Sequence, residues 1–255
     1  MKVTFCVQGV ISPLLANVYL HYAYDLWSQQ WRKRQASGEM IVVRYADDTI
    51  VGFQHEDGAC RFLDDLRARL ATFALTLHPE KTRLIEFGRH AQANRRQRGL
   101  GRPESFNFLG FTHICAETQG GRFQLRRMSM RKRLRAKLAE IKEELRRRQH
   151  RRLADQGQWL KSVVAGYFAY HAVPTNGRAL SAFRYHVIQM WLRSLRRRSQ
   201  RHRVPWDRMT RIVEAWIPPA RISHPWPSKR FDVKHSRQEP SALAAHARIC
   251  AGGPG

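Results

Sequence analysis

Apolar positions recur at helical spacing in four stretches of the chain, and short β-rich runs lie among them. Leu15, Tyr19, Tyr22 and Leu26 follow the start signal Ser12-Pro13 and predict a helix. The run Ile41-Val42-Val43-Arg44-Tyr45-Ala46, the acids Asp47-Asp48 and the run Thr49-Ile50-Val51-Gly52-Phe53 predict a β-hairpin turning at or near the acids. Leu63, Leu66, Leu70 and Phe73 mark a second helix, and Leu84-Ile85-Glu86-Phe87 a short strand before a polar stretch from Gly88 to Glu104. A last pair of strands is expected through residues 106–111 and 122–125, around a Gln119-Gly120-Gly121 turn. Ser129 is placed to cap a helix carrying Met130, Leu134, Leu138, Ile141 and Leu145, and Phe183, Val187, Trp191 and Leu195 stripe another. The pattern predicts an α+β fold with antiparallel hairpins and helices over 1–120, a helical part over 121–217, and a Pro-rich, poorly ordered tail over 218–255.

Charge changes that picture. The 255 residues carry 46 Lys and Arg against 20 Asp and Glu, a net charge of +26. Between Gly121 and Arg211 stand 25 Lys or Arg and five Asp or Glu, so +20 of the excess sits in the helical part. An excess of this size points to a polyanionic partner. No apolar run approaches the roughly 20 residues that cross a bilayer, so no membrane partner is expected. Cys6, Cys60, Cys115 and Cys250 are scattered, which suits reduced thiols in the cytoplasm.

Two adjacent acids at a hairpin tip, taken alone, suit a turn, where Asp is favoured, before they suit magnesium, which takes hard oxygen ligands. Phosphodiester chemistry commonly uses two such ions roughly 3.5–4 Å apart. The surrounding motifs weigh on that choice. Tyr45-Ala46-Asp47-Asp48 resembles the YADD box of reverse transcriptases, with flanks like those of bacterial group II intron-encoded proteins. Gln8-Gly9-Val10-Ile11-Ser12-Pro13-Leu14-Leu15-Ala16-Asn17 resembles the segment beneath the incoming nucleotide. Leu77-His78-Pro79-Glu80-Lys81-Thr82 is similar to the next palm motif, and Phe108-Leu109-Gly110-Phe111 to the primer-grip hairpin. Gly166-Tyr167-Phe168-Ala169-Tyr170-His171-Ala172-Val173-Pro174 looks like the maturase-specific, thumb-like domain.

The resemblance implies a partial reverse-transcriptase palm followed by an α-helical thumb/maturase domain. It implies Asp47 and Asp48 as catalytic magnesium ligands, Gln8, Gly9 and Lys81 at the nucleotide, and Phe108, Leu109 and Gly110 at the primer end. Lys81 also suits a solvated loop, and Phe108 a core aromatic. The implied partners are group II intron RNA and, in the intact protein, an RNA template and DNA primer, in a cytoplasmic ribonucleoprotein. In the family another aspartate comes from an earlier palm strand, and only seven residues precede Gln8 here. The two-ion magnesium site is therefore expected to be incomplete, with no polymerase activity from this chain alone unless an N-terminal fragment supplies the rest. The family also has three residues between its Gln-Gly and Ser-Pro where only Val10 and Ile11 stand.

RNA contact is expected from Arg131, Arg133, Arg135, Lys137, Arg146, Arg147, Arg196, Arg197 and Arg198. Aromatics interleave with them: Trp159, Tyr167, Phe168, Tyr170, Tyr185 and Trp206 suit either base stacking or the core. An RNA-binding module with no enzymatic role, or a remnant of a mobile element, is the competing reading. No ligand-spaced Cys/His cluster follows that would serve a nuclease, and His224, His235 and His246 are read as incidental.

Overall fold

The structure, a computed structural model, describes residues 12–198, 204–226 and 243–251, the last of these as backbone. The chain divides into two units, one of 1–106, 115–124 and 235–255, the other of 107–114 and 125–234.

The first unit begins with α1 (Ser12–Leu20), one π-helical turn (His21–Asp25) and α2 (Leu26–Arg34). The expected apolar stripe faces outward: Leu15, Tyr19, Tyr22 and Leu26 are all exposed, while Leu20, Ala23, Tyr24 and Trp31 are buried. The π turn adds a residue to the helical cycle and rotates the face that follows. Burial then follows the rings that find partners, Trp31 meeting Phe62 edge-on at 5.0 Å and Phe53 at 6.0 Å. The Trp31 indole also donates to Asp65 Oδ2 at 2.7 Å, so its polar edge is satisfied inside the cluster.

The acid hairpin forms as expected, from β1 (Met40–Tyr45) and β2 (Asp48–Phe53), antiparallel with Tyr45 opposite Asp48. Alternation along β2 buries Thr49, Val51 and Phe53 beneath α3 (Glu56–Ala71), whose Phe62, Leu66 and Leu70 complete the core. β3 (Leu75–Leu77), β4 (Arg83–Glu86) and α4 (Ala91–Gln97) follow. β5 (Phe106–Phe108), β6 (Phe111–Glu117) and β7 (Phe123–Ser129) form a separate three-stranded sheet. The single strand expected over 106–111 is thus split in two at Leu109-Gly110.

The tail departs from expectation. Residues Leu243–Ala251 form β8, which lies inside the main sheet. It pairs antiparallel with β2 along one edge and with β4 and then β3 along the other. No proline lies between Leu243 and Ala251, so every residue of this stretch has an amide to donate, as a strand bonded on both edges requires.

In the second unit α5 (Arg131–Arg147), α6 (Leu153–His171), α7 (Gly177–Arg196) and α8 (Trp206–Trp216) share one core. The predicted α7 stripe is buried throughout, and Ile141 and Leu145 are the buried end of the α5 stripe. Gly157 permits α6 to meet α8: a Cβ there would stand 2.4 Å from the Trp216 ring. Ser129 does not cap α5, whose preceding residue is Met130. The buried Asn176 takes it instead, accepting from the Ser129 amide at 2.9 Å and donating to its hydroxyl at 2.8 Å.

Candidate functional site

Ala46 and Asp47 form the two-residue turn of the acid hairpin, with Ala46 at φ 53°. Left-handed backbone costs a residue with a Cβ roughly 1–2 kcal/mol. Arg44 holds that turn. Its Nε and Nη2 donate to the two oxygens of Asp25, each at 2.7 Å, while Nη1 donates to Ala46 O at 2.9 Å and Asn17 Oδ1 at 3.0 Å. One planar fork therefore ties the helical segment to the hairpin tip. Behind it the buried Tyr24 phenol is pushed well above its usual range by burial and by Asp25, against the opposing pull of Arg44 and Thr49. Asp25 and Arg44 lie outside the residues expected to serve the site, because the pairing spans 19 positions and leaves no local signal.

The sheet register shows what stands beside the acids. Position 248, an arginine, is in register with Asp48 on β8. On the far edge of β8, Leu77 is level with Ile249 and Arg83 with His246, so the turn 78–82 stands level with Asp48. Two strand spacings, roughly 10 Å, separate the two. Lys81 is in that turn, whose amides at Lys81 and Thr82 both donate to His78 O. His78 Nδ1 and Thr82 Oγ1 are buried with no hydrogen-bond partner among the described residues. The sheet thus brings Asp47, Asp48 and the Lys81 turn to one end. Gln8 and Gly9 lie outside the described residues. Asp47 and Asp48 are adjacent carboxylates that would hold magnesium, and a pair of such ions also takes a ligand from a separated strand.

In the second unit the turn between β5 and β6 is made by Leu109 (φ 47°) and Gly110 (φ 81°), both left-handed as a type I′ hairpin requires. A leucine there persists because its surroundings fix it. Tyr170 Oη donates to Leu109 O at 2.7 Å, and the Met130 amide donates to Gly110 O at 3.0 Å. Arg133 lies over Gly110, where a Cβ would come within 3.2 Å of Nη1. Phe111 stacks on Tyr170 at 5.6 Å, and a cavity of about 390 Å³ opens beside them, lined by Phe108, Leu109, Arg127 and His224 among others. His171 stacks on Tyr167 at 4.2 Å, and burial, then the nearby Arg133 charge, push its pKa down to about 4.

Residues 3–113 match the family described as reverse transcriptase (RNA-dependent DNA polymerase). No curated protein matches the chain. The reverse-transcriptase match covers the acid hairpin, the Lys81 turn and the Leu109-Gly110 turn, and ends before the first residue of α5.

The basic side chains lie beyond it. Arg131, Arg133 and Arg135 are exposed on the first turns of α5. Further along, Lys137 pairs with Glu140 at 2.8 Å, and Arg146 and Arg147 make only long pairs, 3.6–3.9 Å, with Glu143 and Glu144. Such exposed pairs contribute little, roughly 0–1 kcal/mol, and leave the cations available. Arg197 is exposed, whereas Arg196 donates to Val204 O and Arg198 to Arg151 O, so those two also brace the chain. Of the aromatics, Tyr167 and Phe168 belong to the core, Trp159 lies under the Arg148 guanidinium, and Tyr170, Tyr185 and Trp206 are exposed.

Proposed function

We propose that this protein is the palm-and-thumb portion of a group II intron reverse transcriptase-maturase, and that the role its own residues perform is to clasp structured intron RNA. The observation that carries the reading is the division of labour in α5 and α7. Their apolar stripes are spent in one core while Arg131, Arg133, Arg135, Arg193 and Arg197 face solvent, in a segment with a net charge of +20. Maturation in this sense is non-covalent: cations offset the repulsion between phosphates brought together in folded RNA, and no side chain need gain or lose a proton. Arg suits the task better than Lys, because its planar fork grips phosphate oxygens in pairs and stacks on bases. The palm motifs in family order support the intron-encoded assignment, and a ribonucleoprotein in the cytoplasm is the setting it implies.

Magnesium, when bound in a polymerase of this kind, holds the attacking and leaving oxygens of nucleotide transfer. Asp47 and Asp48 would hold such an ion, and with a further ligand needed from a separated strand the acid hairpin is assigned no catalytic step of its own. Instead the Arg44–Asp25 fork fixes the hairpin as a rigid edge of the sheet.

Equilibrium binding to a folded intron RNA across a salt series tests the proposal. With roughly 6–10 phosphates engaged, affinity falls ~10³–10⁵-fold between about 50 and 200 mM salt. Asp47→Ala binds as the parent does, and primer extension with magnesium and nucleotides stays at background for both. A flat salt dependence overturns the RNA role. Robust extension abolished by Asp47→Ala overturns the assignment of the hairpin.

A further inference from the structure

Between α5 and α7 the second unit has a groove of about 410 Å³ whose lining includes Arg146 and Arg197, both among the expected RNA contacts. Its floor is apolar, formed by Leu145, 2% exposed, with the half-buried Leu138 and Met190. Its rim is cationic: Lys142 and Arg146 rise from α5, Arg193 and Arg197 from α7. No acidic residue lines it. Among the described residues Lys142, Arg193 and Arg197 make no ion pair, and Arg146 makes only the long one to Glu143. At the mouth stands Tyr185, 58% exposed, its ring T-shaped to that of His186 at 5.6 Å.

We propose that this groove seats an unpaired stretch of RNA, with a base stacked on Tyr185 and its flanking phosphates held by Lys142, Arg146, Arg193 and Arg197. The proposal rests on the RNA-binding reading above and adds which part of the RNA is taken and where. Three features together select unpaired RNA. A duplex presents phosphate ridges and stacked base pairs whose faces are not accessible, so neither an apolar floor nor an exposed tyrosine gains from it. A volume near 410 Å³ is that of a small-ligand site, within the roughly 300–1,000 Å³ range, and admits one splayed nucleotide but no helix. Cations flanking an aromatic platform are the arrangement by which proteins hold single strands without reading sequence.

The test compares fluorescence anisotropy of two probes, a labelled oligouridine and a labelled blunt RNA hairpin, on the full chain. Tyr185→Ala weakens oligouridine by about 5- to 150-fold, the loss expected for one base-stacking contact, while hairpin affinity holds within about twofold. Tyr185→Phe keeps the ring and binds oligouridine as the parent does. The paired change Arg193→Glu with Lys142→Glu lowers oligouridine affinity further and flattens its salt slope. Because all three side chains are exposed, circular dichroism melting of each variant stays at the parent's midpoint. Should Tyr185→Ala and the double charge variant both bind oligouridine like the parent, while the parent's binding still falls steeply with salt, the groove is not the seat and the broader RNA role stands. Loss of hairpin and oligouridine binding to the same degree in Tyr185→Ala also overturns the proposal. A parent chain that binds neither probe refutes the RNA role itself.

Discussion

Arg44 makes four hydrogen bonds with one guanidinium, and no other cation could reproduce the set. Arg44→Lys keeps the charge but cannot reach both Asp25 oxygens and the Ala46 carbonyl together. The expected cost is about 1–3 kcal/mol in urea unfolding, since a mostly buried carboxylate loses part of its fork and a left-handed alanine loses its anchor. His171 makes a second residue-scale prediction. Its folded pKa of about 4 lies below the ordinary 6.5, so the unfolded chain binds its proton more readily. Stability from this residue is therefore complete above about pH 6.5 and is lost as pH falls towards about 4. Thermal midpoints of the parent drop between about pH 7 and pH 5, and His171→Asn removes that part of the drop.

At the scale of elements, legibility followed the range of the interaction. The acid hairpin and the α7 stripe were readable because alternation and helical spacing are local and each buried face matched its pattern. The α1 stripe was misleading: Tyr19 and Tyr22 have the spacing, but the π turn and the Trp31–Phe62 contact select another face. Ser129 had every local mark of a cap, and a buried asparagine 47 positions away claimed its hydroxyl. The Leu109-Gly110 turn carried only its glycine as a signal, since leucine in that conformation is fixed by Tyr170 and not by its own preference. β8 had least of all, four alanines in nine residues with no apolar alternation. Its place in the sheet is testable by Ala245→Pro, at a position opposite both Val51 and Leu84. Proline there removes a central ladder hydrogen bond, at a cost of roughly 1–3 kcal/mol for the partner left unsatisfied. Hydrogen exchange at the Val51 and Leu84 amides speeds up accordingly, whereas exchange in α7 does not.

For the whole molecule, the candidate site was legible as a set of motifs but not as an arrangement. Asp47, Asp48 and Lys81 could be named from spacing, yet their common level in the sheet, and the arginine opposite Asp48, depend on a strand nearly 200 positions later in the chain. The charge, by contrast, needed no coordinates, because a net +20 over one helical segment is a property of composition alone.

Among the described residues β1 ends the main sheet, with Ile41, Val43 and Tyr45 all exposed along it. An edge strand of that kind can pair with a second molecule, and a net charge of +26 opposes the approach of another copy. Titrating in RNA cancels that repulsion while leaving the edge strand in place. Turbidity should consequently peak near charge equivalence and clear again with excess RNA, and Val43→Lys should blunt the peak without weakening RNA affinity.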